Sequence, residues 1–592
     1  MSPVRPQVAL LIVVGAALAA FATALYGSFV NWDDIWLIVR NPYLRGLHHV
    51  PQVLDPFANR ILMGAEYLPV RDLSNIADHF LFGTEPTLYR LGNWLLYGLS
   101  AGMAFAFLRE ALGSSRAAMA GALLWAVHPL HAEVVAWASA RKDLLNAVFA
   151  LLAATLYLRH ARAGRRGAAW GAAGAFLLAT LSKSSAAALP FFLAAWEVLA
   201  VAPPAPLRER SLAALRRAAP LLAVAVAGAA LNAWHQSRAH VEAEWRAGGW
   251  IPNLLVMGGV HLRYFRQLVW PTGLSADYGV AAQGAGTLLP SLWVLAVLAV
   301  LAGALLLLRR NRVAGLCALW WFAILAPVSN LVFPITNVSA DRYLFLPSLG
   351  PCALAGLGFE RALAAGPFAV RAAKGVLAAV AVVLAVAAAM QARVWRDGIS
   401  LWSHATAVSP DCGRAWMNYG EALAFAGKRE EAFAAWKRMV EAEPGNALFW
   451  IHLGSRTWEI FGASRADEVQ GYVERAVAMA EPDNGGPLVA LAWILDTRGR
   501  RAEALPLLEE AIRRQPDLSR GHFNLGLWHF SEQRWVRAVE ELELALRLGL
   551  PLEDEVVAHQ MLFEAAGKTG DRDRARHHRE ERERLMALSR GE

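Results

Sequence analysis

Long apolar runs, each about as long as a membrane-spanning helix, fill the first 391 residues of this 592-residue chain. A bilayer core of about 30 Å requires about 20 apolar residues per helix. From about residue 392 the composition changes to one rich in Ala, Leu, Glu and Arg, with helical periodicity. We therefore predict an all-α protein with a polytopic membrane bundle over residues 1–391 and a soluble helical domain over residues 392–592.

Eleven segments have the length and apolar character of a transmembrane helix. They lie near residues 7–28, 89–109, 117–137, 143–160, 168–183, 184–202, 217–235, 287–308, 313–331, 343–364 and 372–391. A twelfth segment, 252–270, is ambiguous because its His, Arg and Gln side chains are costly in lipid. We predict that it is an amphipathic segment lying along the outer membrane surface.

Basic clusters in four of the connecting loops indicate the orientation. They occupy residues 159–166, 208–217, 309–312 and 361–374. Because Lys and Arg concentrate in cytoplasmic loops, eleven spans place all four clusters inside. The N-terminus is then cytoplasmic, whereas the loops 29–88 and 236–286 and the C-terminal domain lie on the other side.

The formal net charge of +8 is explained by these membrane flanks, so nucleic acid is not an expected partner. The Ala-, Arg- and Leu-rich composition favours a bacterial source. The protein is then expected in a bacterial inner membrane, with its C-terminal domain in the periplasm.

The C-terminal domain is an internal repeat. Prolines recur at Pro410, Pro444, Pro482, Pro516 and Pro551, in steps of 34, 38, 34 and 35 residues. A period of 34 residues, with small and large residues alternating at fixed positions, is typical of tetratricopeptide helix pairs. The longer step indicates a short insertion near residues 461–464. Such arrays bind peptides or proteins in a concave groove, although an array that only packs on the membrane domain is an alternative.

Two adjacent carboxylates, Asp33 and Asp34, follow the first predicted span directly. At the bilayer edge such a pair suits a general base, a metal site or the N-cap of a helix. The residues alone leave these three interpretations open.

A second polar group contains His128, His131 and Glu133. Histidines three residues apart share one face of a helix, so a divalent metal is conceivable, but Pro129 disturbs the geometry and no third ligand is evident. Hydrogen bonding within a polar cavity is the alternative.

Basic residues stand at three separate turns on the predicted external side. They are Arg141, Lys142, Lys183 and Arg342. If these side chains converge beside lipid, they suit an anionic lipid headgroup such as a polyprenyl phosphate. The alternative is local charge pairing, of Arg141 with Asp143 and of Arg342 with Asp341.

Several short motifs follow one another along the chain. They are Asn31-Trp32-Asp33-Asp34 with Asn41-Pro42, Tyr67-Leu68-Pro69, Tyr89-Arg90-Leu91-Gly92-Asn93, residues 128–133 with Arg141 and residues 143–145, residues 181–183, Trp270-Pro271 with residues 274–278, residues 327–331 and residues 341–348. These motifs and their order resemble one family, the transmembrane and tetratricopeptide-repeat-containing O-mannosyltransferases of the GT-C superfamily, and the similarity covers nearly the whole chain. The chain departs from the family pattern at three positions. Ser184 stands where the family often has an acidic residue, and Asp341 stands where it often has Glu. Leu68 stands where it typically has an arginine, for which Arg71 is the nearby substitute.

The resemblance implies an inverting transferase that moves a mannose-like hexose from a polyprenyl-phosphate donor to a protein hydroxyl outside the cytoplasm. It implies Asp33 as the base, with Asp34 beside it. The donor phosphate would be bound by His128, His131, Arg141, Lys183 and Arg342, with Glu133, Asp143, Asp277 and Tyr278 supporting them. It implies no particular cofactor, and it leaves open whether a divalent metal is bound. The repeats would position the protein acceptor.

Two other functions compete with this interpretation. A glycan ligase or polymerase would use a lipid-linked oligosaccharide, but such enzymes lack the early acid pair. A non-enzymatic membrane scaffold would recruit envelope proteins through its repeats, and it would need neither the acid pair nor convergent basic residues.

Overall fold

The structure, a computed structural model, describes residues 5–58, 66–238, 245, 248–279 and 288–590. Over these residues it consists of helices and connecting loops with no strand, so the all-α prediction is confirmed. The chain divides into two compact units, Met1–Ser409 and Pro410–Glu592.

The first unit contains helices that follow the apolar runs, together with helices in the segments between and after these runs. Numbered in chain order, they are α1 (Pro6–Ala20), α2 (Val50–Leu54), α3 (Pro69–Phe82), α4 (Pro86–Leu112), α5 (Ser115–Ala126), α6 (Ala132–Ala136), α7 (Arg141–Ala163), α8 (Arg166–Ser182), α9 (Leu189–Trp196), α10 (Leu207–Arg238), α11 (Trp250–Val269), α12 (Leu288–Arg310), α13 (Arg312–Leu325), α14 (Leu349–Leu363), α15 (Pro367–Val394) and α16 (Gly398–Val408).

Six helices of the described chain are long and apolar enough to cross a membrane. They span Pro86–Leu112, Ala138–Ala163, Ser184–Val201, Leu207–Arg238, Pro290–Arg310 and Pro367–Val394. A bent pair, Ser115–Ala126 with Pro129–Ala136, adds a possible seventh span. This number of apolar helices of membrane-spanning length is typical of an integral membrane protein. The count of eleven spans and the orientation stay predictions.

Small residues allow close helix packing inside the bundle. A Cβ atom at Gly356 of α14 would lie 2.2 Å from the carbonyl oxygen of Ala117 in α5, and one at Gly121 would lie 2.8 Å from that of Cys352. Because α5 leads into the turn at residues 128–131, this packing fixes where the histidine group lies.

The second unit is a series of antiparallel helix pairs. They are α17 (Gly413–Phe425) with α18 (Arg429–Ala442), α19 (Ala447–Phe461) with α20 (Ala466–Met479), α21 (Gly486–Thr497) with α22 (Arg501–Arg514), α23 (Ser519–Ser531) with α24 (Trp535–Leu548), and α25 (Leu552–Thr569) with α26 (Arg572–Arg590). Gly420 packs against the Trp436 ring and Gly526 against Leu542, as the small-to-large pattern predicts. An additional 3-10 turn, Gly462–Arg465, lies where the sequence predicts an insertion.

Candidate active site

The two adjacent carboxylates lie in a loop that we call the acid loop, residues 27–34, and they have different surroundings. Asp34 is fully buried and accepts hydrogen bonds from the backbone N–H of Val30 (3.0 Å) and of Ser139 (2.9 Å). The Ser139 hydroxyl donates a third bond to the same carboxylate (2.5 Å). Asp34 therefore joins the acid loop to the turn that precedes α7.

Asp33 is only half-buried, and no described residue donates a hydrogen bond to its carboxylate. Its negative charge acts instead on the buried guanidinium of Arg71 at the start of α3. Burial lowers the pKa of Arg71, but nearby carboxylates outweigh it and leave the pKa above its ordinary value. In order of effect they belong to Asp72, Glu66 and Asp33. Of the two acids, Asp33 is thus the more exposed and the one whose carboxylate receives no hydrogen bond from a described residue.

Lys183 and Arg342 are brought together by the fold. Both line one small cavity of about 30 Å³, together with Asp143 and Tyr343. The Lys183 ammonium lies 2.5 Å from the Asp143 carboxylate. Arg342 meets the buried carboxylate of Glu133 through both its guanidinium and its backbone N–H, the latter at 2.8 Å. Two cations that are 159 residues apart in the sequence therefore face one space.

The charge pairings differ from those considered between sequence neighbours. Arg342 pairs with Glu133 and not with Asp341, and Asp143 pairs with Lys183 and not with Arg141. The guanidinium of Arg141 instead lies 2.5 Å from Asp78 of α3. The two pairings considered between sequence neighbours were wrong, because the carboxylates of Asp143 and Asp341 each contact a segment distant in the sequence.

Glu66 lies between Lys142 and Arg71, and the sequence motifs did not single it out. Its carboxylate lies 2.9 Å from the Lys142 ammonium and 3.7 Å from the Arg71 guanidinium. Burial raises its pKa, but Lys142, Arg71 and Lys183 outweigh this and lower the pKa to about 2. Glu66 directly precedes the motif Tyr67-Leu68-Pro69, and that position was the only available signal.

Arg141 is held by the protein itself and is not among the residues that line the cavity. Besides its contact with Asp78, its Nε donates to the side-chain oxygen of Asn93 (2.6 Å) and its Nη2 donates to the carbonyl of Tyr89 (2.9 Å). In this structure Arg141 fastens α7 to α3 and α4.

Both histidines of the second group have protein partners. His131 is fully buried, with its ring nitrogens 2.9 Å from the Tyr97 hydroxyl and 3.2 Å from the Ser348 hydroxyl. His128 accepts from the Leu130 backbone N–H at the start of a 3-10 turn, and its Nε2 lies 2.9 Å from the carbonyl of Leu268. Within the described residues no group of three or more His, Cys, Asp or Glu side chains is placed to hold a metal.

Asp277 and Tyr278 belong to a loop that is pinned beside Arg342. The Tyr278 hydroxyl donates to Asp341 (2.6 Å), which also accepts from the Ser275 backbone N–H (3.0 Å). Asp277 accepts from the backbone N–H of Tyr278 (2.9 Å). Burial, with the charge of Glu133, raises the pKa of Asp341 to about 7. These contacts fix the turn that carries Arg342.

We expect Asp34 to make the protein less stable as the pH rises. Burial raises the pKa of Asp34 to about 6, against an ordinary value of 3.8, so the folded state holds this proton over a pH range in which the unfolded chain has lost it. The free energy of unfolding should therefore fall between about pH 4 and pH 6 through this group. Denaturant unfolding of wild type and Asp34→Asn across this range measures it, and an identical pH slope in both would contradict the prediction.

An apolar helix bundle with a buried charged cluster at its loops, followed by tetratricopeptide helix pairs, defines a class of membrane protein with a repeat array. No protein-family model matches the chain. Relatives found by sequence are protein O-mannosyl-transferases of the TMTC family, so the resemblance carried by the motifs is confirmed.

Three of these relatives illustrate the extent of the similarity. Tmtc3 of Drosophila melanogaster is 28% identical over 37% of this chain and 25% of its own length. Tmtc1 of the same species is 25% identical over 70% of this chain and 60% of its own length. TMTC4 of Homo sapiens is 26% identical over 73% of this chain and 66% of its own length. The chain thus spans less than two thirds of the length of the first of these relatives.

Solved structures with similarity to parts of the chain include the following two. MamA is 18% identical over 29% of this chain and 91% of its own, with a TM-score of 0.23. Pseudomonas aeruginosa pilF is 16% identical over 33% of this chain and 83% of its own, with a TM-score of 0.27.

Proposed function

We propose that the chain is a membrane glycosyltransferase that moves a mannose-like hexose from a polyprenyl-phosphate donor to a hydroxyl of a protein acceptor, outside the cytoplasm. The observation that carries the proposal is the shared cavity of Lys183 and Arg342, linked through Glu66 and Arg71 to the charge of Asp33. The relatives named protein O-mannosyl-transferases support the same activity. We assign sugar transfer to the predicted membrane domain, residues 1–391, and acceptor binding to the predicted repeat domain, residues 392–592. In the structure the segment 392–409, which includes α16, belongs to the first compact unit.

The donor phosphate would bind at Lys183 and Arg342. An ammonium has three N–H donors and a guanidinium has five, so each can serve a carboxylate and a phosphate oxygen together. The pairing with Asp143 and Glu133 keeps both cations ordered before the donor arrives. Their charge then stabilises the phosphate as it leaves, an electrostatic effect worth several kcal/mol in enzymes.

The acceptor hydroxyl would attack the anomeric carbon while its proton passes to the Asp33 carboxylate. The bond that forms joins the acceptor oxygen to the sugar, and the bond that breaks joins the sugar to the phosphate. The electron pair leaves with the polyprenyl phosphate, and a single displacement inverts the anomeric centre. A carboxylate that receives no hydrogen bond from the described protein is suited to accept this proton.

The remaining assigned residues have supporting roles. Asp34 fixes the acid loop, and Glu133 and Asp143 hold the two cations in place. Asp277 and Tyr278 hold the neighbouring turn. His128, His131 and Arg141 order the helices around the cavity, and the tetratricopeptide repeats bring the protein acceptor to the membrane domain.

The test is a transfer assay with purified protein in lipid, using a radiolabelled polyprenyl-phosphate mannose and a serine- and threonine-containing peptide. We expect label on the peptide, an inverted anomeric linkage and no transfer from a sugar nucleotide alone. Label transferred only to a glycan acceptor would favour the ligase or polymerase. Absence of turnover with any lipid-linked sugar would favour the scaffold.

A further inference from the structure

Helix α16 contacts the acid loop through one buried tryptophan. The indole Nε1–H of Trp402 donates to the side-chain oxygen of Asn31 at 3.0 Å. The Trp402 ring also meets the Trp32 ring edge-on, with 5.1 Å between the ring centroids. Trp402 itself is fully buried, so its orientation is fixed by packing. The contact therefore fixes the two residues that precede Asp33.

The chain segment between α15 and α16 holds the start of the same loop. The carbonyl of Arg396 accepts from the Ser28 backbone N–H at 2.8 Å. The buried guanidinium of Arg90 donates to the carbonyls of Ser28 and Trp395, each at 2.6 Å. A Cβ atom at Gly27 would lie 2.3 Å from the Arg396 carbonyl oxygen, so this close approach requires glycine.

Helix α16 is itself capped at its first turn and held to another segment in its second half. Asp397 caps its first turn by accepting from the Ser400 backbone N–H at 2.7 Å. Near its other end, the His404 Nε2 lies 3.0 Å from the carbonyl of Leu274. A helix fixed in this way can impose a position on the loop that it contacts.

We infer that Trp402 is a positioning residue for the reaction and that it acts through Asn31 and Trp32 to hold Asp33. Asp33 lies between two anchored neighbours, since Trp402 holds Trp32 and Ser139 holds Asp34. The backbone on either side of Asp33 is thereby fixed, while its carboxylate stays available. This inference rests on the proposed function, because it assumes that the Asp33 carboxylate takes the acceptor proton.

The first variant is Trp402→Phe in the full-length protein, which removes the Nε1–H donor and keeps an aromatic ring against Trp32. We expect kcat for peptide transfer to fall on the order of tenfold to a hundredfold, with an unchanged KM for the lipid donor, because misplacement of a reacting group by about 1 Å has effects of this size. Amide hydrogen exchange over residues 28–36, followed by mass spectrometry, should become faster. Trp94→Phe is the matched control, since it removes one Nε1–H bond, to the Leu18 carbonyl, elsewhere in the same unit.

The second variant, Asn31→Ala, removes the acceptor of the same bond. If the bond acts as inferred, Asn31→Ala lowers kcat by a similar factor and the double variant is no worse than either single variant. Independent factors that multiply in the double variant would overturn the inference. A wild-type kcat and wild-type exchange in Trp402→Phe would also overturn it.

The outcome for Asp33→Asn separates the two proposals. If Asp33→Asn loses transfer while Trp402→Phe retains it, the positioning role fails and the proposed function stands. If Asp33→Asn retains transfer, the base role fails whatever Trp402→Phe does.

Discussion

Replacing Asp33 with Asn should slow sugar transfer strongly while leaving the fold and the binding of donor intact. General-base catalysis contributes about 10²- to 10⁴-fold, so kcat should fall by this amount. Since the Asp33 carboxylate receives no hydrogen bond from the described residues, an amide at this position breaks no such bond and should cost little stability. Transfer kinetics with the lipid donor and the peptide acceptor, together with thermal unfolding in detergent, measure both effects.

Two controls make the Asp33 result specific. Asp55→Asn makes the same change at an exposed position of the same loop region and should leave kcat unchanged. Asp34→Asn should instead perturb the acid loop, because three hydrogen bonds converge on the Asp34 carboxylate. A variant Asp33→Asn that transfers sugar at a near wild-type rate would contradict the base assignment.

Removing Arg342 should damage both stability and transfer, because its partner Glu133 would be left buried without a counter-charge. The side chains of Arg342 and Glu133 are only 8% and 2% exposed. Losing one partner of a buried ion pair costs about 3–5 kcal/mol of unfolding free energy. Losing a cation that stabilises the leaving phosphate should lower kcat by about 10²- to 10³-fold. Denaturant unfolding and transfer kinetics of Arg342→Met test the two effects separately.

A double variant distinguishes the structural role of the pair from its chemical role. Arg342→Met with Glu133→Gln removes both charges, and the Gln oxygen can still accept from the backbone N–H at position 342. We expect this variant to recover much of the lost stability but not the transfer rate. A double variant with wild-type kcat would show that Arg342 does not serve the phosphate. Arg159→Met, which breaks a half-exposed pair with Glu110, should cost no more than about 1 kcal/mol.

Local periodicity made most of the fold predictable. The 34-residue spacing of prolines located the helix pairs from Gly413 to Arg590, because each pair repeats the same small and large positions along the chain. The apolar runs located the helices of the first unit in the same way, since a helix of this kind is specified by its own residues. Whether a helix can cross the membrane depends also on its length, and six helices of the described chain are long and apolar enough to do so.

The sequence identified several residues of the candidate site, but it did not predict which side chains contact them. Convergence of Lys183 and Arg342 was one of two alternatives that the sequence left open, and the fold places both in the lining of one cavity. Arg141 was grouped with them, yet it contacts Asp78 and Asn93 and lies outside the cavity lining. Glu66 was missed, because its place directly before the motif Tyr67-Leu68-Pro69 does not indicate that the distant Lys142 approaches it.

The sequence by itself determined the two-part architecture, the repeat period and which side chains carry charge at the loops. Those features depend on residues close together in the chain, so periodicity and composition reveal them. Only the tertiary structure decided that Asp34 is buried and bonded while Asp33 stays available, and that Arg342 pairs with Glu133. The physical reason is that burial and charge pairing depend on which distant segments pack together, and adjacent carboxylates that are alike in sequence then acquire different surroundings.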